Sequence, residues 1–127
     1  MTQFTLVFAA IFGMLAIIFG AFGAHALKKI LNEEQLKNFE TGVKYQMYHA
    51  IVLLILGFQL EFTQPLENYI VYSFISGIIL FSFSIYGLVI SSAKNKKLRF
   101  LGPITPLGGL LLTIGWGLFL YYVITTL

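Results

Sequence analysis

Long uncharged runs alternate with short charged segments along this chain, and most of the runs are long enough to cross a bilayer. Charged side chains are absent from residues 6–24, 68–93 and 100–127. At ~1.5 Å of rise per residue, a helix over each run covers the roughly 30 Å of membrane hydrocarbon. A shorter run, residues 45–60, is long enough if the charged side chains at its ends extend outward. The pattern predicts four membrane-spanning helices, at residues 4–26, 42–62, 68–92 and 104–126.

The polar segment between the first two runs has a helical pattern of its own. Asn32 is followed three residues later by Gln35, the spacing of a helix N-cap, and Leu36, Phe39 and Val43 then recur at helical spacing. These residues predict a short interfacial helix at residues 32–41, with a solvated connector into the second span as the alternative. The predicted fold is an all-α membrane protein: one domain, residues 1–127, folded as a four-transmembrane-helix bundle with this interfacial helix between helices 1 and 2.

The composition is that of a membrane protein, and it excludes several kinds of catalytic and metal site. Hydrophobic residues make up 58% of the 127 positions and charged residues only 10%. There is no cysteine, which excludes disulfides, thiol catalysis and cysteine-ligated metals. The net charge of +3 is confined to two short segments instead of forming a broad basic face, so we do not expect nucleic acid as a partner.

The distribution of basic residues predicts an orientation. Four lie between residues 28 and 44, at or between the adjacent ends of the first two spans, and four lie between the last two spans, whereas residues 61–67 carry Glu61 and Glu67 and no base. Because cytoplasmic loops are enriched in lysine and arginine, we expect both basic segments in the cytoplasm and both termini outside. A cleaved signal peptide ending near Ala24-His25-Ala26 is the alternative for the first run, although no basic residue precedes it.

Small residues at helical spacing mark the faces where membrane helices can pack closely. They could join helices within one chain or between the protomers of a homo-oligomer, and the sequence does not separate these uses. The predicted packing positions are Ala16 and Gly20 in the first span, Ser73, Gly77, Ser84 and Gly87 in the third, and Gly109, Thr113 and Gly117 in the fourth.

Few residues are candidates for chemistry. Acidic side chains are absent from the middle of every span, which argues against proton or sodium coupling. His25 and His49 end the first span and begin the second, so antiparallel packing could bring them together, but they are equally explained as polar caps. No set of nucleophile, base and orienting acid can be assembled. We therefore expect no enzyme activity, no metal and no cofactor.

Four segments resemble a known family: GAFGAHALK at 20–28, FETGVKYQMYHA at 39–50, LFSFSIYGL at 80–88 and GPITPLGGLLLTIGW at 102–116. Together they are similar to the small bacterial membrane proteins of the YgdD/YwdK type, catalogued as domain of unknown function 423. The resemblance implies a four-helix protein of the bacterial cytoplasmic membrane and brings no reaction, cofactor or substrate. It also implies a glycine where Phe83 stands, so close helix packing is not expected at that turn.

These motifs concentrate at the predicted inner face, where we place a candidate site for a lipid headgroup or a partner helix. His25, Gln46 and His49 would supply hydrogen bonds, and Lys44 and Arg99 would supply charge. The predicted function is a non-catalytic factor that supports membrane organisation or stability by contacting lipids or other membrane proteins. An oligomeric transporter of small solutes or lipids is the alternative, and a lipid-modifying enzyme dependent on the histidines is a third.

Overall fold

Four long helices, joined by short connections, make up the protein. The computed structural model describes residues 1–23 and 25–127; Ala24, where the alternative of a cleaved signal peptide begins its cleavage motif, lies outside the described residues. Helices are the only regular secondary structure in this described portion of the chain, as the all-α prediction requires. The helices comprise Thr2–His25, Glu33–Gln59, Pro65–Ala93 and Ile104–Thr126, with short 3₁₀ turns at Leu27–Lys29 and Arg99–Leu101.

Three of the four helices are long and apolar enough to cross a membrane. They fall within Thr2–Gly23, Pro65–Ala93 and Arg99–Thr126. The second helix is not among them because Lys44, Gln46 and His49 interrupt its apolar stretch. The crossing of the membrane by the second helix therefore stays a prediction.

The second helix is continuous over 27 residues, so the expectation of a separate interfacial helix at 32–41 is wrong. Its start matches the predicted N-cap: the Asn32 side chain accepts a hydrogen bond from the Gln35 amide at 2.8 Å, and the Gln35 side chain accepts one from the Asn32 amide at 3.0 Å. Gly42 does not break the helix. A Cβ there would lie 2.7 Å from the Tyr86 ring, so this glycine makes room for a neighbouring side chain.

The third helix starts and ends on local signals. Pro65 occupies its first turn, and the Glu67 side chain accepts a hydrogen bond from the Gln64 amide at 2.9 Å, so the helix begins three residues before the predicted position. At the other end Asn95 adopts a positive φ of 57°, and the amides of Asn95 and Lys96 bond back to the carbonyls of Ser92 and Ser91. This is a Schellman ending, which turns the chain sharply toward the fourth helix.

A π-helical segment, Ile79–Phe83, interrupts the third helix at its closest contact with the fourth. A Cβ on Gly108 would overlap the backbone nitrogen of Phe81 and lie 2.5 Å from the Leu80 carbonyl carbon. The Phe83 ring packs instead against the first helix, with its centroid 6.2 Å from that of Phe12. The backbones of the third and fourth helices therefore touch directly at Gly108, whereas the Phe83 side chain points toward the first helix.

The fourth helix spans Ile104–Thr126, the predicted range, but its contact face differs from the predicted stripe of small residues. The buried residues of this helix, which pack against the third helix, are Gly108, Leu112 and Gly115. Thr113 is exposed, and a Cβ at Gly117 would meet no described atom within 4 Å. A repeat of four residues drifts about 40° per step around a helix of 3.6 residues per turn, so the stripe leaves the interface by its second half.

Most of the other predicted packing positions contact a neighbouring residue or are buried, and two are packed less closely. Gly77 lies against Leu112, Gly87 against Leu101 and Gly20 against Val43, while Ala16 is 2% exposed. Ser84 hydrogen bonds to the Thr105 hydroxyl at 2.5 Å. By contrast, Ser73 is only half-buried, and Gly109 touches Phe81 no closer than 3.7 Å.

The first and second helices pack side by side along their whole length. Gly57 faces Leu6 at one end of this pair, and Gly23 faces Phe39 at the other. The third helix lies centrally and contributes much of the core, including Ile70, Val71 and Phe74, none of which is exposed. The basic end of the bundle is the end that carries Lys28, Lys29, Lys94, Lys96, Lys97 and Arg99.

Candidate functional site

A groove opens at the basic end, between the start of the second helix, the last turns of the third and the start of the fourth. The mouth of this groove is a cavity of about 680 Å³, and its inner part is a second cavity of about 410 Å³. The two cavities adjoin, since they share lining residues, and we call them together the basic-end groove. The shared residues are Asn38, Leu88, Val89 and Gly102.

The mouth of the basic-end groove is polar and carries both signs of charge. Gln35 donates a 3.5 Å hydrogen bond to the Ser92 hydroxyl and so links the second helix to the third. The capping box fixes the first turn of the second helix, and the Schellman ending directs the following loop over the groove. The polar residues that line the mouth are Asn32, Glu34, Gln35, Asn38, Ser92, Lys97 and Arg99.

The inner part of the groove is lined mainly by apolar side chains. From Ser92 to Phe81 the groove follows the third helix for eleven residues, roughly 16 Å. Phe81 belongs to the π-helical segment, so this segment forms part of the lining of the inner part. The remaining lining residues of the inner part are Thr41, Ile85, Thr105 and Pro106.

A buried polar cluster joins three helices deeper in the bundle. The Gln46 side chain, fully buried, donates to the Phe12 carbonyl at 2.8 Å and accepts from the Tyr86 hydroxyl at 2.7 Å. The buried Ser82 hydroxyl donates to the Gly42 carbonyl at 2.7 Å. Because each bond crosses between helices, the cluster fixes the second helix against the first and the third.

His49 makes two hydrogen bonds that define its tautomer. The Trp116 indole N–H donates to Nε2 of His49 at 3.2 Å, and Nδ1 lies 2.8 Å from the Tyr45 carbonyl. Since Nε2 accepts a bond, the proton of the neutral ring lies on Nδ1 and is donated to Tyr45. His49 therefore ties the second helix to the fourth.

The structure does not bring together the five residues proposed from sequence. Arg99 lines the mouth of the basic-end groove, whereas Lys44 lines a separate cavity of about 190 Å³ beside the first helix. His25 is exposed at the end of the first helix. Near His25, Gly23 of the first helix packs against Phe39 of the second helix. His49 lies ten residues farther along the second helix, about 15 Å from Phe39. The two histidines are therefore at different depths.

Sequence reasoning missed most of the residues that line the groove. Glu34, Gln35 and Asn38 lie on the first turns of the second helix, and Lys97 precedes Arg99 by two positions. The capping pattern and the mixture of charges were visible signals for this region. Among the described residues, no group of three or more histidine and acidic side chains is close enough to hold a metal ion.

Comparison with known proteins connects the chain to a family. A family model described as "Protein of unknown function (DUF423)" matches residues 19–109. The chain is 38% identical over 122 residues to a UPF0382 membrane protein of Staphylococcus epidermidis, which covers 96% of this chain and 93% of the relative. No solved structure matches the chain.

Two further relatives come from well-separated bacteria. The UPF0382 membrane protein YwdK of Bacillus subtilis is 35% identical over 113 residues, which are 87% of this chain and 88% of the relative. The UPF0382 inner membrane protein YgdD of Escherichia coli K12 is 35% identical over 120 residues, which are 94% of this chain and 88% of the relative. With its long apolar helices and these relatives, the chain is a multi-pass membrane protein that belongs to the DUF423 family, whose function is unknown.

Proposed function

We propose that this protein is a non-catalytic membrane protein that binds a phospholipid in the basic-end groove and thereby supports the organisation of the membrane around it. The observation that carries this proposal is that a polar, charged cavity adjoins an apolar one. A mouth with Lys97 and Arg99 opens into an inner part walled by Phe81 and Ile85. Such a space suits a ligand with an anionic head and an apolar tail, and both of its cavities fall in the ~300–1,000 Å³ range of small-molecule sites.

The proposal places the groove at the membrane surface, and this placement requires all four helices to cross the bilayer. Gly23 of the first helix lies beside Phe39 of the second, and Gly57 lies beside Leu6 at the opposite end. A second helix that runs along an apolar spanning helix for this distance shares its depth. Its exposed Lys44 then extends toward the surface, as long basic side chains near a membrane rim do. The relative YgdD is named an inner membrane protein, which supports the same membrane for this chain.

Cysteine labelling tests the orientation and the crossing of the second helix together. The chain has no cysteine, so each introduced thiol is the only one present. We expect Lys28→Cys and Lys96→Cys to react with a membrane-impermeant maleimide only after the cytoplasmic side is opened, because basic loops stay inside. Glu61→Cys should react from outside in intact cells. All three positions are exposed, so burial does not limit their labelling. Labelling of positions 28 and 61 from the same side would show that the second helix does not cross.

Lipid retention tests the groove itself. The protein is released for native mass spectrometry from nanodiscs containing phosphatidylethanolamine and phosphatidylglycerol in equal amounts. Removing both charges at the mouth, in Lys97→Gln/Arg99→Gln, should weaken binding by about 2 kcal/mol, roughly thirtyfold, because each base near a membrane surface attracts anionic lipid by ~1 kcal/mol. The matched control is Lys28→Gln/Lys29→Gln, which removes equal charge at the same end from residues outside the groove lining.

The two double variants separate groove binding from general charge attraction. Equal loss of lipid in both would contradict the proposal, since the groove would then contribute nothing specific. Retention by the Lys97→Gln/Arg99→Gln variant at the level of the unmodified protein would contradict it as well. Flux of small solutes into liposomes that contain this protein alone would favour the transporter alternative over a non-catalytic binding role.

A further inference from the structure

The mouth of the basic-end groove presents a carboxylate as well as two bases. Glu34 lies on the first turn of the second helix, while Lys97 and Arg99 lie on the loop between the third and fourth helices. All three line the same cavity of about 680 Å³, so a ligand in the mouth meets both signs of charge. Glu33, the neighbouring acid, is exposed and does not line this cavity.

This arrangement of charges discriminates between classes of headgroup. A headgroup whose only charge is a phosphate gains from the two bases but places negative charge near Glu34. A headgroup that carries a phosphate and an ammonium gives each of the three side chains a partner of opposite sign. Asn38, which lines both the mouth and the inner part, adds an amide donor and acceptor between the charged mouth and the apolar interior.

The inner part of the groove indicates that this zwitterion is a lipid. Below the mouth, the lining changes to Phe81, Ile85 and Pro106, which offer no charge to a water-soluble amine phosphate. An acyl chain attached to the headgroup would fill this space and pack against its apolar side chains.

We propose that the basic-end groove selects an aminophospholipid, with the phosphate at Lys97 and Arg99, the ammonium at Glu34 and an acyl chain along Phe81 and Ile85. This inference rests on the proposed function, since it names the lipid class that the same groove binds. Glu34 is the specificity-determining residue, and the two bases supply the attraction that all phospholipids share.

Competition between two lipids tests the inference. In nanodiscs with equal phosphatidylethanolamine and phosphatidylglycerol, we expect the protein to retain the former about three- to fivefold more often, the preference that one partly exposed ion pair supplies. Glu34→Gln should bring the ratio to about one while the total lipid retained stays within about twofold. Glu33→Gln is the matched control, because it removes an acid from the same helical turn, and it should keep the preference.

The outcomes separate this inference from the proposed function. If the unmodified protein retains both lipids equally, or if Glu34→Gln keeps the preference, the selectivity for an aminophospholipid is overturned. Loss of lipid in Lys97→Gln/Arg99→Gln would in that case still support the groove as a phospholipid site. If the unmodified protein retains no lipid at all, both the selectivity and the proposed function are overturned.

Discussion

Gly108→Ala should destabilise the protein more than any other single methyl addition, by about 3 kcal/mol or more. The added Cβ would overlap the Phe81 backbone nitrogen and lie 2.5 Å from the Leu80 carbonyl carbon. A side chain in conflict can rotate away, but these backbone atoms belong to the π-helical segment and move only if the third and fourth helices separate. The measurement is the free energy of unfolding in detergent micelles, followed by far-ultraviolet circular dichroism.

Gly117→Ala provides the matched control on the same helix. A Cβ at Gly117 would meet no described atom within 4 Å, so the substitution adds a methyl group without a conflict. We expect its stability to be unchanged or raised by up to about 1 kcal/mol, because alanine favours helices over glycine. Equal stability of Gly108→Ala and Gly117→Ala would show that the third and fourth helices do not approach as closely as described.

Gln46→Leu should cost about 1–3 kcal/mol, since it removes two buried hydrogen bonds between helices. The Tyr86 hydroxyl would lose the acceptor it contacts at 2.7 Å, at a position only 7% exposed. The control is Gln59→Leu, which replaces an exposed glutamine of the same helix and should change stability by less than about 0.5 kcal/mol.

A double-mutant cycle tests the cause of that loss. Gln46→Leu/Tyr86→Phe removes both polar partners, and we expect it to cost about 1 kcal/mol less than the sum of the single variants, because no unpaired hydroxyl is left inside the bundle. All variants are unfolded under the same micelle conditions. Strictly additive losses would mean that Gln46 and Tyr86 act independently and that their bond does not join the helices.

Helix ends were predictable where the signal is local, and helix continuity was not. Asn32 and Gln35 predict the cap of the second helix, and the structure contains it. The predicted ranges, 32–41 for an interfacial helix and 42–62 for the second span, placed a break near residue 42. The helix continues because the Tyr86 ring occupies the space beside Gly42, a contact that residues 44 positions apart make only in the folded bundle.

The continuity of the second helix also explains why the residues of the site proposed from sequence lie apart. With a helix start at residue 42, Gln46 and His49 would lie near the membrane rim. The helix instead starts at Glu33, its Phe39 packs against Gly23, and Gln46 and His49 lie buried inside the bundle. Charge identified Arg99, but the cavity it shares with Glu34 depends on the rotation of the second helix and the turn at Asn95, neither of which a linear pattern specifies.

The pairing of the first two helices has a consequence for how the protein enters the membrane during synthesis. The second helix is the most polar of the four and would insert poorly alone, because charged side chains from Glu33 to Lys44 precede its apolar stretch. Its partner along its full length is the first helix, which the ribosome has already completed. If the second helix crosses the membrane as predicted, insertion of the two as one hairpin would place Gly57 against Leu6 and Phe39 against Gly23 before the third helix exists. We then expect the later hairpin to dock onto a pair already in the bilayer.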